Sequence, residues 1–241
     1  MPPYEQARQI LESFDIPILF EDHHLIAVIK PARLPVASDA SGDITLLTKI
    51  RDRHYARQLE GKKGYCVPIH FLDRPVSGTI VFALSSKSAA RLNEQFRNRT
   101  LSKRYFALVE GRPSQDEGTL IHYLAKEKQD NKVRIVHAKH PEGKLCKLSY
   151  RVINTHGALT WVEVYPETGR SHQIRVQLAS LGTPIYGDVK YGAKEVWDGR
   201  IALHAATLTI QHPTSKEPLA LRAPVDEAWL KVWGAPAPVE S

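Results

Sequence analysis

Three short segments hold the residue types that do chemistry. The first is HFLDRPVSG, His70 to Gly78, which sets a carboxylate, Asp73, against a guanidinium, Arg74, in a stretch closed by proline and glycine. Taken alone, such a pair suits a turn or a solvated ion pair as well as a reaction, and a surface pair contributes little to stability. The second is PETGRSHQIRVQLASLGTPIYGD, which ends a strand in a glycine-containing turn and opens a helix whose first turns carry Arg170, His172 and Arg175. Backbone N–H groups and basic side chains at a helix start make an anion site, for a phosphate or for a carboxylate from elsewhere in the chain. The third, KRYFALVEG, offers Tyr105 on a strand face, flanked by Lys103 and Arg104, where a planar base can stack.

These segments need elements to position them. Residues 4–14 read as a short helix with Ile10, Leu11 and Phe14 on one side. PILFEDHHLIAVIKP reads as two strands around the polar turn Glu21–His24, stopped by Pro31, and ITLLTKIRDRHYARQL as a helix with a basic outer face. After HFLDRPVSG come a strand (TIVFAL), a helix N-capped by Ser85 or Ser86 with Ala89, Leu92 and Phe96 as its apolar stripe, and the strand KRYFALVEG. Alternation in that strand places Tyr105, Ala107 and Val109 on one face, Phe106 and Leu108 on the other. KVRIVH, KLSYRVI and LTWVEVYP read as an antiparallel meander. SHQIRVQLASLG then reads as a helix with Ile174, Leu178 and Leu181 inward and Gly182 as its stop. IALHAATLTI is strand-like, a short helix lies around Ala228 to Val232, and the tail GAPAPVES is expected to be loose. The pattern predicts an α+β fold: a mixed, largely antiparallel sheet with flanking helices in a single domain with a central cleft.

At 241 residues the chain can bury a full core, and 42% hydrophobic residues exclude wholesale disorder. The excess of 33 Lys+Arg over 26 Asp+Glu favours a polyanionic partner. The segments Arg51–Lys63, Arg97–Arg104 and Lys126–Lys147 are the candidate phosphate-contacting surfaces, solvated faces being the alternative for any one of them. Two cysteines, Cys66 and Cys146, are far apart and form no CxxC pair, which speaks against a disulfide framework and a thiolate metal site and suits a reducing cytosol. The histidine pairs His23–His24, His137–His140 and His204–His212 have no tight carboxylate or thiolate partner set for a metal. There is no apolar stretch of membrane-spanning length and no leader-like h-region at the amino terminus, so a cytoplasmic protein with no membrane partner is expected.

HFLDRPVSG, followed by a strand and SSKSAARLNEQF, resembles the signature of the RluA-type RNA pseudouridine synthases. KRYFALVEG and TGRSHQIRVQLASLGTPIYGD resemble that family's second and third motifs, and IALHAATLTIQHP its closing strand. The match runs in order from about Leu25 to Pro224. It implies a catalytic domain over 25–224, with an amino-terminal extension over 1–24 and a helix and tail over 225–241. It also implies roles: Asp73 as the catalytic aspartate, Tyr105 as the tyrosine packed on the target base and linked to the final proton removal, and Arg175 as the basic residue paired with the aspartate. No metal and no organic cofactor are implied. The partner is structured RNA, transfer or ribosomal, contacted through Phe71, Arg74, Arg104, Arg170 and His172 by a protein expected to be a monomer. With few residues before Leu25, the catalytic domain is expected to recognise its RNA by its own surface.

The implied chemistry has a physical rationale. Uracil bonded through nitrogen is a poor leaving group, and a carboxylate can act on it as nucleophile or as stabiliser of positive charge at the anomeric carbon. A neighbouring guanidinium keeps that carboxylate ionised. A base stacked in folded RNA must leave its stack, and an aromatic platform offsets part of that cost. One position departs from the family pattern. Phe71 stands where arginine is usual between His and Leu, and a phenylalanine can wedge between bases but cannot hold a phosphate. Filling the core beside the strand is the other role open to Phe71. The HFLDRP form itself is similar to that of the branch acting on transfer RNA. Two other classes stay in view: a non-catalytic RNA-binding or ribosome-assembly protein on the same scaffold, and an aspartate-based glycoside or nucleoside hydrolase. The hydrolase needs a second carboxylate near Asp73, for which Glu163, Glu167 and Asp188 are the candidates.

Overall fold

The structure is a computed structural model that describes residues 12–38, 42–58, 64–127 and 132–235, with positions 5 and 9. Most of the helix expected over 4–14, part of the basic segments ending at Lys63 and Lys147, and most of the tail lie outside the described residues. The fold is mixed α+β, with eleven strands in a largely antiparallel open sheet and four helices among the described residues. Two compact units divide the chain: 1–101 with 208–223, and 102–207 with 224–241.

In the first unit β1 (Ile18–Glu21), β2 (Leu25–Lys30) and β4 (Ser77–Ala83) pair antiparallel in that order, and the two-residue β3 (Val67–Pro68) pairs with β4. The turn between β1 and β2 falls where the polar residues predict it, and Asp22 closes it by accepting from the N–H groups of His24 and Leu25. Helix α1 (Leu46–Gln58) precedes β3. Helix α2 (Ser86–Asn98) is N-capped by the Ser85 hydroxyl, which accepts from the Ser88 N–H, and ends on Arg99 in the left-handed region. Its buried stripe is Ser88, Ala89, Leu92 and Gln95, with Phe96 only partly buried. Gln95 was missed because a polar side chain does not register in an apolar period; it exchanges two hydrogen bonds with the Gln211 backbone. The core joins Leu25, Ala27, Val81 and Ala83 to Leu92, Leu208 and Leu221. Leu208 lies in β10 (Leu203–Gln211) and Leu221 in β11 (Pro218–Arg222).

In the second unit the strand order is β5 (Ser102–Glu110), β9 (Leu159–Pro166), β8 (Lys144–His156), β6 (Glu117–Lys126) and β7 (Val133–Val136). This corrects the expected meander, because β6 is interposed between β7 and β8. EGTLIHYLAK gives a weak signal because most of it is exposed or half-buried and only Leu124 and Ala125 are sealed off. Helix α3 spans Gln173–Ala179, shorter than the apolar spacing predicts. Residues 173–178 are all buried, whereas Leu181 follows in a turn that ends on Gly182 at φ +78. Helix α4 (Glu227–Trp233), capped by Asp226, brings Trp229 and Trp233 edge-on to Trp161, which also meets Phe106 at 5.4 Å.

Candidate active site

The residues singled out by type and spacing fall in both units, and each set is held by its own surroundings. In the first, Asp73 begins a tight turn in which the Val76 N–H donates to its carbonyl at 3.0 Å. Val76 and Leu72 are buried and anchor the turn from both sides. Between His70 and Leu72 the Phe71 ring points outward and is 66% exposed, which rules out the core-filler role. His70 stacks on Phe96 at 5.1 Å and accepts from the Val81 N–H through Nε2, so the segment entering the loop is tied to β4 and α2. The Arg74 guanidinium pairs with Asp43 and donates to the Arg33 carbonyl.

Beneath this turn lies a residue that motif reading passed over. Lys30, at the end of β2, is fully buried. Its Nζ donates to the carbonyls of Pro31 (2.9 Å), Leu34 (2.8 Å) and Arg74 (3.1 Å). Three acceptors match the three N–H bonds of an ammonium. The Arg33 N–H also donates to the Arg74 carbonyl, from a residue at φ +74. Burial pushes the lysine down to about 7, the negative charge of Asp73 working against that fall and the positive charge of Arg74 adding to it. The signal was in the sequence, a lysine ending an otherwise apolar strand before proline. Its acceptors, one of them 44 residues away, were not.

In the second unit the TGRSHQIR segment is organised by side chains rather than by a helix dipole. The helix begins only at Gln173, so Arg170 and His172 precede it and, of the three basic residues, Arg175 alone lies within it. Gln173 folds the turn onto β8: its Oε1 accepts from the Arg170 N–H and the Thr168 hydroxyl, and its Nε2 donates to the Lys147 carbonyl. Arg170 is exposed, while His172 takes a left-handed conformation at φ +52. Arg175 is buried and pairs with the buried Asp188, its Nε and Nη2 each donating at 2.7 Å to one carboxylate oxygen. This bidentate geometry fixes the guanidinium plane. Asp188 follows Gly187, at φ +82, where a Cβ would stand 2.7 Å from the Arg200 carbonyl oxygen. Tyr191, in the 3-10 turn Val189–Tyr191, collects the rest: its ring lies under the Arg175 guanidinium at 5.1 Å, and its hydroxyl is 2.7 Å from His172 Nδ1.

Tyr105 is half-buried on β5, opposite Val164 of β9. Its neighbour Arg104 projects from the other face, donates to Glu163 at 3.3 Å and to Thr207, and lies over the Phe106 ring. Glu163 is buried and also accepts from Arg151 (2.8 Å) and the Tyr165 hydroxyl (2.6 Å). Burial, followed by the hydrogen bond to Glu163 and then by its charge, raises the Tyr165 phenol above its ordinary value. Each carboxylate considered as a second acid for a hydrolase is therefore matched to a cation of its own unit. Glu163 takes Arg104 and Arg151, Glu167 takes Lys147 at 2.9 Å, and Asp188 takes Arg175. Among the described residues no three His, Cys, Asp or Glu side chains stand close enough to hold a metal, and no helix is long and apolar enough to cross a membrane.

Comparison with known proteins identifies the family. A family profile described as RNA pseudouridylate synthase matches residues 24–180, well over half the chain. The chain is 34% identical over 222 residues to an uncharacterized RNA pseudouridine synthase of Bacillus subtilis, covering 91% of this chain and 72% of that protein. It is 34% identical over 235 residues to the tRNA pseudouridine synthase C of Vibrio cholerae, covering 88% and 92%. It is 32% identical over 240 residues to the ribosomal large subunit pseudouridine synthase C of Vibrio vulnificus, covering 95% and 72%. The structure of the human RNA pseudouridylate synthase domain containing 4 superposes with a TM-score of 0.74 over 95% of this chain and 94% of its own, at 24% identity, and shares the fold. The chain belongs to the RluA-type RNA pseudouridine synthases. It is accordingly an enzyme, an isomerase of uridine in RNA.

Proposed function

We propose that the protein acts on transfer RNA, with Asp73 as the catalytic aspartate, Tyr105 as the platform for the target base and Arg175 as the cation of the catalytic set. The bond from uracil N1 to the anomeric carbon breaks, the ring turns, C5 bonds to the same carbon, the hydrogen on C5 leaves to solvent as a proton, and N1 takes up a proton in its place. The observation that carries this reading is the treatment of Asp73. Its turn is pinned from beneath by a fully buried lysine whose proton affinity responds to the Asp73 charge. A chain invests a buried ammonium in a loop where a carboxylate has to be held in place. Arg175 supports the same reading, since a guanidinium clamped by Asp188 presents one fixed orientation. The catalytic domain extends over 25–224 and works as a cytoplasmic monomer.

Transfer RNA is favoured over ribosomal RNA by the HFLDRP form. Phe71 acts as an apolar wedge that helps a stacked uridine leave its neighbours. The test is tritium release from RNA labelled at C5 of uridine, run on transfer and ribosomal RNA separately. Wild type should release tritium from transfer RNA, and Asp73→Asn should lose about 1,000-fold or more. Retained activity in Asp73→Asn would remove the aspartate from the mechanism. Release from ribosomal RNA alone would move the substrate assignment, and no release from either pool with tight binding kept would leave an RNA-binding role.

A further inference from the structure

Arg33 stands where the backbone favours glycine. The turn Pro31–Leu34 wraps the buried Lys30 ammonium, which draws the Pro31 and Leu34 carbonyls inward at 2.9 and 2.8 Å. At the third position of this turn the chain reverses through the left-handed region, and Arg33 takes φ +74. Two further bonds hold it there. Its N–H donates to the Arg74 carbonyl at 2.7 Å, and its own carbonyl accepts from Arg74 Nε at 3.1 Å. Both are made by the Arg33 main chain, so glycine would form them equally well. A Cβ in the left-handed region crowds the following carbonyl, a cost that glycine does not bear. What the turn requires of residue 33 is its main chain; the side chain is an addition kept against strain, and strain kept in this way marks a functional position.

That side chain is cationic and exposed. Its main chain is bonded to the residue that follows Asp73, so it borders the Asp73 turn, where Phe71 is exposed as well. The Phe71 ring offers apolar surface to a base and has no group for a phosphate. Arg74, the other arginine of the turn, directs its guanidinium to Asp43 and to the Arg33 carbonyl. A nucleotide displaced beside Phe71 brings its phosphates with it, and a planar guanidinium is the side chain best matched to them. We infer that Arg33 is a substrate-binding residue whose guanidinium holds an RNA phosphate beside the target uridine while Phe71 occupies the stack. This inference rests on the RNA reading above and deepens it by naming the cation that accompanies the wedge.

Arg33→Gly tests this, because a binding role and a structural role move its stability in opposite directions. Glycine relieves the left-handed strain and keeps both main-chain bonds, so Tm should rise by about 2 °C. Equilibrium binding of transfer RNA, measured from about 50 to 200 mM salt, should weaken about five- to tenfold. The slope of log Kd against log salt should also fall by about one, the signature of one lost phosphate contact. KM for tritium release should rise by the same factor, with kcat within about twofold of wild type. Arg33→Lys, which keeps the charge, should restore the salt slope, whereas Arg33→Gln should bind like Arg33→Gly. A fall in Tm for Arg33→Gly would show that the side chain serves the fold and would overturn the inference, as would a salt slope equal to that of wild type. Wild type that binds transfer RNA but releases no tritium would sink the reading beneath it, and the two slopes would still decide the phosphate contact.

Discussion

Around Asp73 the main chain is fixed by a buried cation: Lys30 gathers three carbonyls, one of them belonging to Arg74. Around Arg175 a cation is itself the group being fixed, by the two oxygens of Asp188 and the ring of Tyr191. The first arrangement holds backbone and leaves the Asp73 side chain to the loop's geometry. The second holds the Arg175 side chain itself, beside a left-handed histidine and a seven-residue helix. The difference shows that one protein can fix a carboxylate and a guanidinium by different means. A carboxylate on a tight turn needs its turn made rigid, whereas a long guanidinium needs its plane locked.

Substitutions separate the two designs. After loss of Asp73 itself, the largest effect should come from Asp188→Asn, which takes the charge from the bidentate partner of a buried guanidinium. A cost of about 3–5 kcal/mol in stability is expected, read as a fall in Tm, together with a drop in kcat. Arg175→Leu strands the carboxylate instead and should cost a similar amount, and two variants with wild-type Tm would break the comparison. Lys30→Met should cost about 3 kcal/mol through the orphaned carbonyls. It should also change the pH profile in a defined direction. Lys30 titrates near 7 in the fold against 10.5 as its ordinary value, so the unfolded chain holds more protons between those limits. Wild-type stability therefore gains from this group as pH rises from about 7 to 10.5, and the penalty is fully present below 7. Denaturant titrations across that range should show the gain in wild type and a flatter profile in Lys30→Met.

Smaller effects sharpen the picture. Phe71→Ala, at an exposed ring, should leave Tm within about 1 °C because little apolar contact is lost. It should slow tritium release on folded RNA severalfold and spare loose single strands; equal losses on both would remove the wedge. Smallest of all, Cys66 and Cys146 are buried thiols, pushed by burial to about 12 and about 11. Neither should react with a thiol reagent at neutral pH until the chain unfolds. Rapid labelling of the native protein would show that their surroundings open.

Much of this arrangement was legible before any coordinates. The turn at Asp22–His24, the Ser85 cap, the strands on either side of HFLDRPVSG and the terminal tryptophan helix follow from local rules, namely turn chemistry, capping and alternation, and each is found where those rules place it. What escaped was non-local or weakly patterned. β6 is half-wet along most of its length, so no period marks it. Lys30 reads as a strand's last residue until the Arg74 carbonyl arrives from 44 positions on. Asp188 entered the reading only as a spare acid, because its bond to Arg175 spans 13 residues and depends on how the chain turns at Gly187. Tyr191 drew no notice at all, since its hydroxyl acts across to Val133.

Gly187 carries a last consequence. It sits where the chain passes so close to the Arg200 carbonyl and the Trp197 side chain that there is no room for one more carbon. Gly187→Ala would introduce no charge and remove no side-chain hydrogen bond, yet the added carbon would push against the Arg200 carbonyl and displace the next residue, Asp188. A guanidinium held by two 2.7 Å bonds loses its register when that partner moves. The enzyme's tolerance for change is thus uneven in a way no inventory of reactive groups reveals: one of its most sensitive positions has no side chain.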